Sequence, residues 1–162
     1  MSFTRISAAA ALAFVVAAGV PASGGATDKA TGGGQILVSS DGRGPGDTIA
    51  FTAQRRTDGR VVGNVNVIDR VQGAGGKGAH FKGDVTCIEA VGNTAKIAGV
   101  GTLDGAATGF TLIVTDNGEG ANAGNDLITL QYTDDATCER EDGDDDAAVE
   151  LARGNAQVTD GL

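Results

Sequence analysis

Aromatic residues other than phenylalanine are almost missing from this chain of 162 residues, which has no tryptophan, one tyrosine and one histidine. Proteins that bind single-stranded nucleic acid stack bases on aromatic side chains, and sugar-binding sites commonly stack sugar rings in the same way. The shortage therefore weighs against a nucleic-acid-binding or lectin-like function. Two glycine-rich tracts, GGGQ and GAGGKG, lack the spacing of a phosphate-binding loop.

The residues that nucleophilic or zinc-dependent catalysis requires are also scarce. His80 is the single histidine, and no serine lies in a nucleophile-elbow pattern. A protein zinc site needs three or four suitable ligands, which one histidine and two cysteines do not supply. We therefore predict that the protein is not an enzyme. The alternative is a hydrolase that uses paired carboxylates, such as Asp116 or Glu119 with Asp126 or Glu89.

Residues 1–22 have the three-part layout of a secretory signal peptide. Arg5 lies in a short polar leader, an apolar run extends from Ala8 to Val20, and small residues follow. The run is shorter than the about 20 apolar residues of a membrane-spanning helix. We expect cleavage after Ala22, with Ala26 as the second choice. The mature protein is then secreted, without a transmembrane segment, and begins with a flexible segment at 23–31.

Acidic residues outnumber basic ones, with 21 Asp and Glu against 12 Lys and Arg and a formal net charge of −9. A surface of this sign repels nucleic acid and anionic lipid headgroups. The only cysteines, Cys87 and Cys138, both lie after the leader. In an oxidising compartment they are expected to form one disulfide, which stabilises the fold by roughly 4 kcal/mol in the chain-entropy model.

Short runs rich in Val, Ile, Thr and Phe alternate in polarity between the glycines, a pattern typical of half-buried strands. The pattern predicts strands at 33–38, 47–54, 60–69, 79–90, 93–103, 108–116, 126–133 and 154–159. Turn signals such as GN at 92–93 and LDGA at 103–106 separate them. Because no long helical period intervenes, residues 32–162 are predicted to form a single antiparallel β-barrel or sandwich of about eight strands.

Alternation along each predicted strand also indicates which side chains face the core. In the run from His80 to Ala90 it places Phe81, Val85 and Cys87 on one face. Applied to the other strands, the same rule predicts an interior that is lined by Ile49, Phe51, Phe81, Val85, Phe110 and Leu112.

The only helix candidate is the segment from Asp144 to Ala152, where an aspartate could cap a short helix. The overlapping text VELARGNAQV fits a strand or a loop equally well. The acidic tract just before it begins like an EF-hand loop, but Ala147 replaces the required glycine and Arg153 replaces the bidentate glutamate. We interpret the tract as a solvated loop.

The loop within VTDNGEGANAGNDLITL, Val114 to Leu130, carries hard oxygen ligands of the kind that calcium takes. Its calcium candidates are Asp116, Asn117, Glu119 and Asp126. An Asn-Gly sequence of this kind is also what a tight connection between two strands requires. The sequence therefore leaves two interpretations, a calcium site and a β-hairpin connection.

Several motifs resemble a group of small secreted domains common in actinobacteria. They are GDVTCIEAVGNTAKIAGVGT, the DNGEG loop, a lone downstream Cys138 and the closing RGNAQVTD. The opening ATGGGQ is more distantly similar to domains that follow cell-surface anchor modules. The resemblance covers nearly the whole mature chain and implies an extracellular all-β domain without an assigned activity. The Asp-rich EDGDDD differs from the proline-rich apolar segment that the group tends to have at this place in the sequence.

These observations predict a secreted, non-catalytic β domain that serves as a binding or structural module with an unknown extracellular or cell-envelope partner. No cofactor is expected apart from calcium at the loop. The alternative is a carrier of one small apolar molecule, because a small barrel can hold a ligand at its mouth. A filled interior argues against the carrier, and an apolar cavity of several hundred cubic ångström favours it.

Overall fold

The structure is a computed structural model, and it describes residues 27–36, 46–69, 78–119, 125–134, 136–139 and 148–161. The described residues form eight β-strands and no helix. The strands are β1 (Lys29–Ile36), β2 (Asp47–Arg55), β3 (Val61–Ile68), β4 (His80–Val91), β5 (Thr94–Leu103), β6 (Ala106–Thr115), β7 (Leu127–Tyr132) and β8 (Val149–Thr159).

Each strand pairs antiparallel with its neighbour in sequence, and β8 pairs with β1 to close a barrel. Because the sheet is fully closed, it has no free edges. Of the two predicted architectures, the protein therefore forms the barrel. The predicted count of about eight strands is confirmed. In an eight-stranded barrel the interior is just wide enough to be filled by side chains or to hold one small ligand.

The strand bounds differ from prediction mainly at the two ends of the chain. β1 begins at Lys29, inside the segment 23–31 that was expected to be flexible, because Lys29 pairs with both Gln54 and Thr159. β8 begins at Val149, so the overlap with the helix candidate is strand, which was one of the alternatives. The predicted signal peptide at 1–22 lies outside the described residues. None of the described segments is a helix long and apolar enough to cross a membrane.

Tight turns occur where the sequence predicts them. Gly92 and Asn93 connect β4 to β5, and Asp104 and Gly105 connect β5 to β6. Asp104 and Gly105 have positive φ angles of 50° and 87°. An Asp-Gly pair in this conformation fits the right-handed twist of the strands that it joins, so the two hairpins are fixed locally.

The core fills the middle of the barrel with side chains from every strand. Phe81 and Phe110 are fully buried with ring centroids 5.3 Å apart, and Phe51 is buried as well. All six side chains predicted to line the interior are buried, namely Ile49, Phe51, Phe81, Val85, Phe110 and Leu112. Their positions confirm the alternation rule for β2, β4 and β6.

The alternation rule places Cys87 on the core face of β4, and this prediction is wrong. The register between β4 and β5 shifts between Val85 and Cys87, which is a β-bulge. Ile88 is therefore buried in the core, while Cys87 lies on the outer surface of the barrel. A bulge adds one residue to a strand and so reverses the alternation after it, which a two-residue period does not predict.

Candidate functional site

A pocket of about 390 Å³ opens at one end of the barrel, which we call the mouth. Strands β1, β3, β5 and β7 end here, and β2, β4 and β8 begin here. The lining is mostly apolar and comes from seven strands or their adjoining residues. It comprises Ile36, Asp47, Val67, Asp69, Ala79, Phe81, Leu103, Ile128, Leu130, Tyr132 and Val149.

Phenylalanine rings form the floor of the pocket and fill the barrel beneath it. Glycines on β4 and β5 make room for these rings. A Cβ atom added to Gly83 would lie 2.6 Å from Cε1 of Phe110 and 2.7 Å from Cζ of Phe81. A Cβ atom added to Gly99 would lie 2.8 Å from the same Phe110 atom. Close packing thus fills the barrel interior beneath Phe81.

The stagger between β7 and β8 explains why the pocket lies at this end. Among the described residues these strands pair only at Leu127 with Glu150 and at Ile128 with Val149. The remaining part of β7, 129–132, extends toward the mouth without a β8 partner. Leu130 and Tyr132 therefore line the pocket beside the first residue of β8.

Acidic groups and one phenol form the polar part of the mouth. Asp47 begins β2, Asp69 follows β3, and both line the pocket with Tyr132. The ring of Tyr132 lies 5.0 Å from that of Phe81, centroid to centroid. Burial raises the pKa of Tyr132 above its ordinary value, and the charges of Asp47, Asp69 and Asp104 raise it further. The phenol is therefore a neutral hydrogen-bonding group at physiological pH.

The opposite end of the barrel holds the predicted calcium candidates, and we call it the polar end. It contains Asp116, Asn117 and Glu119 after β6, Asp126 before β7, and the last residues of β8. Asp126 is 5% exposed. Its Oδ2 accepts a hydrogen bond from the amide of Ala156 at 2.6 Å, and its Oδ1 accepts one from the amide of Asn117 at 3.0 Å.

The other two acidic candidates also accept hydrogen bonds at this end. Asp116 Oδ2 accepts from the amide of Val158 at 3.1 Å, and Asp116 Oδ1 accepts from the amide of Gly118 at 2.8 Å. Glu119 Oε1 accepts from the side-chain amide of Asn155 at 2.8 Å. Asp116 and Asp126 thus accept hydrogen bonds from backbone amides of β8 along the part that has no β7 partner among the described strands. They act as acceptors in place of strand carbonyls.

The structure brings the four candidates into one loop region but gives their side chains partners within the protein. Asn117 donates from Nδ2 to the carbonyl oxygen of Asn125 at 2.7 Å. Across the part of the chain that is described, no three His, Cys, Asp or Glu side chains are grouped closely enough to hold a metal ion. The hydrogen bonds favour the hairpin-connection interpretation of this loop, and calcium binding there stays a prediction.

The predicted disulfide between Cys87 and Cys138 is present, with the Cα atoms 6.0 Å apart. It fastens residues 136–139, which we call the strap, to the outer surface of the barrel. Lys96 is buried beside it and donates from Nζ to the carbonyl oxygen of Glu139. Ala98, which faces outward on β5, has no exposed surface. The disulfide is therefore structural and lies away from the pocket lining.

A second concavity, of about 520 Å³, lies on the outer surface of β3, β4 and β5. Its side chains are mostly polar and include Asn64, Asn66, Lys82, Asp84 and Thr102. His80 is close to it, exposed, with its Nε2 2.8 Å from Asn66 Oδ1. His80 is thus a surface residue.

The residues of the mouth were not identified as a site from the sequence. Tyr132, Asp47 and Asp69 are far apart along the chain and meet only when the barrel closes. One signal was available, since a single tyrosine and flanking acids occur where predicted strands begin and end. Knowing the strand order, one could have placed these residues at the same end.

In comparisons with protein-family models, curated proteins and solved structures, none matched this chain. The barrel and its two ends are therefore the basis on which a function is inferred.

Proposed function

We propose that the protein is an exported, non-catalytic β-barrel that binds one small apolar ligand at its mouth. The apolar pocket of about 390 Å³ carries this proposal. Ligand pockets in proteins typically have volumes of about 300–1,000 Å³ and are lined by apolar side chains with a few polar groups. The pocket fits both criteria, and its polar groups lie together at the rim.

The energetics of the mouth favour a ligand with an apolar body. Val149 remains 39% exposed beside the pocket, and Leu103 and Leu130 also line it. Covering such apolar surface is favourable by roughly 25 cal/mol per Å² removed from water. The filled interior beneath Phe81 limits how deep a ligand can enter, so we expect the ligand to bind at the mouth.

Two further observations support the other parts of the proposal. The carboxylates that a hydrolase would use at the loop, Asp116 and Asp126, accept hydrogen bonds from the backbone of β8, which favours a structural role for them. The disulfide favours an oxidising compartment, because such bonds are rare in the cytosol. The signal-peptide layout of residues 1–22 points to the same location.

Titration with octanol, a small neutral amphiphile, tests the proposal. Tyr132 is the only tyrosine, the chain has no tryptophan, and Tyr132 lines the pocket. Its fluorescence therefore reports on the mouth alone. We expect saturable binding of octanol with a change in tyrosine emission.

A matched pair of variants, assayed by calorimetry, locates the binding site. Val149→Trp places a large ring in the pocket, whereas Val100→Trp makes the same change at a 59% exposed position on the outer surface. We expect Val149→Trp to raise the Kd by about tenfold or more, equivalent to about 1.4 kcal/mol, and Val100→Trp to leave it unchanged. An absence of binding, or equal loss in the two variants, would overturn the proposal.

A further inference from the structure

The mouth combines its apolar wall with carboxylates on one side. Asp47 and Asp69 belong to the pocket lining: Asp47 is the first residue of β2, and Asp69 directly follows β3. Asp104, in the turn between β5 and β6, lies at the same end. The polar part of the described pocket is therefore acidic.

These three carboxylates act on the phenol of Tyr132 inside the pocket. The charges of Asp47, Asp69 and Asp104 all disfavour the phenolate of Tyr132, and so raise the pKa of the phenol. Burial, the largest cause of the shift, disfavours a charge of either sign, whereas carboxylates that disfavour a negative charge favour a positive one at the same place. The chain as a whole has a formal net charge of −9, which acts in the same direction.

Tyr132 also supplies an aromatic surface for a cation. Its side chain is 43% exposed and packs against Phe81 on the floor of the pocket. Ammonium groups are attracted to the face of an aromatic ring, and quaternary ammonium ligands are commonly recognised in this way. The acidic rim and the phenol ring therefore favour the same kind of ligand group.

We propose that the ligand of the mouth is a cationic amphiphile, with an apolar body against Leu130, Val67 and Phe81 and an amine or quaternary ammonium group beside Asp47, Asp69 and Tyr132. This inference rests on the proposed function and specifies its ligand class. An anionic amphiphile such as a fatty acid is disfavoured, because its carboxylate would be placed near carboxylates of the protein.

Three probes with the same octyl chain test the charge preference: octyltrimethylammonium, octanol and octyl sulfate. Binding to the wild-type protein is measured at low salt by Tyr132 fluorescence and calorimetry. We expect the Kd to rise about tenfold from the cation to octanol, because one opposite charge at short range contributes about this much. Octyl sulfate should bind more weakly still. Added salt should narrow the differences, since it screens exposed charges.

A double variant, Asp47→Asn with Asp69→Asn, tests which charges produce the preference. It should lose most of the preference for the cation over octanol, measured as the ratio of the two Kd values. The control double variant, Asp58→Asn with Asp84→Asn, removes the same formal charge from exposed positions outside the pocket lining. It should keep the preference.

The outcomes separate this inference from the proposed function. Ordered binding of cation, octanol and sulfate that collapses only in the mouth variant supports the inference. Equal binding of the three probes by the wild type overturns the inference and leaves the proposed function standing. A preference that survives in the mouth variant also overturns it. Absence of binding by all three probes overturns both.

Discussion

The two ends of the barrel differ because β7 and β8 are offset along their shared edge. At the polar end β8 extends past β7, and the carboxylates of Asp116 and Asp126 accept hydrogen bonds from its amides. At the mouth β7 extends past β8, and Leu130 and Tyr132 line a pocket there. One offset between two strands thus produces a hydrogen-bonded end and an open apolar end.

The comparison shows that similar side chains have different roles at the two ends. Asp126 is buried and bonded to backbone amides, which makes it part of the barrel closure. Asp47 and Asp69 line open space, where their charges act on Tyr132. We therefore expect changes at the polar end to affect stability most and changes at the mouth to affect binding most.

The largest expected effect is on stability and comes from Asp126→Ala at the polar end. The amides of Asn117 and Ala156 lose their acceptor. The amide of Ala156 is buried, and leaving it unsatisfied costs about 1–3 kcal/mol, whereas the more exposed bond of Asn117 contributes about 0.5–1.5 kcal/mol. We therefore expect the unfolding free energy to fall by about 1.5–4.5 kcal/mol. Denaturant unfolding measures the loss.

Asp84→Ala is the control for this variant, because it removes an exposed carboxylate from the outer surface of β4. Its effect should stay within about 0.5 kcal/mol. Under conditions where Asp126→Ala is folded, its octanol binding should equal that of the wild type. A stability loss no larger than that of the control would contradict the role given to Asp126.

An intermediate effect is expected from Gly83→Ala, which acts below the floor of the pocket. The added methyl group meets Phe110 and Phe81 at less than van der Waals distance. Overpacking of a core typically costs about 1–3 kcal/mol. Because Phe81 also forms the pocket floor, octanol binding should weaken as well. Val100→Ala, at an exposed position of β5, should change neither quantity, and an unchanged Gly83→Ala protein would argue against close packing there.

The smallest expected effect is a shift in the ionisation of Tyr132. The phenolate absorbance of the single tyrosine should titrate above pH 10.0, its ordinary pKa, because burial and three carboxylates disfavour the charge. Asp69→Asn should lower the midpoint, whereas Asp58→Asn should not.

The sign of the linked stability change follows from this shift. Above about pH 10 the unfolded tyrosine ionises while the folded one stays protonated, so stability falls as pH rises through this range. A midpoint at or below 10.0 would contradict the acidic, half-buried environment of the mouth.

Most of the fold could be predicted because its causes are local. Alternating polarity in β2, β4 and β6 indicated the strands and their buried faces, and Asp104 with Gly105 marked a tight turn. The disulfide could be predicted because the chain has only two cysteines.

The site could not be predicted because its causes are long-range. The bulge at Cys87 depends on how β4 registers with β5. The hydrogen bond from Ala156 to Asp126 joins residues 30 positions apart, and depends on the offset of β7 and β8. Closure of the barrel brings Asp47 of β2 and Tyr132 of β7 to one pocket. Composition alone does not show which amides the loop acids face, so the sequence leaves a calcium site and a hairpin connection as two interpretations.

Chemical-shift mapping by NMR during an octanol titration compares the two ends in one experiment. The amides of residues that line the mouth, among them Val67, Leu130 and Tyr132, should shift with a common saturation curve. The amides of Asn117 and Ala156 at the polar end should stay unchanged. Shifts centred on the polar end or on the outer concavity of β3 to β5, or no saturable shifts at all, would contradict a ligand-binding mouth.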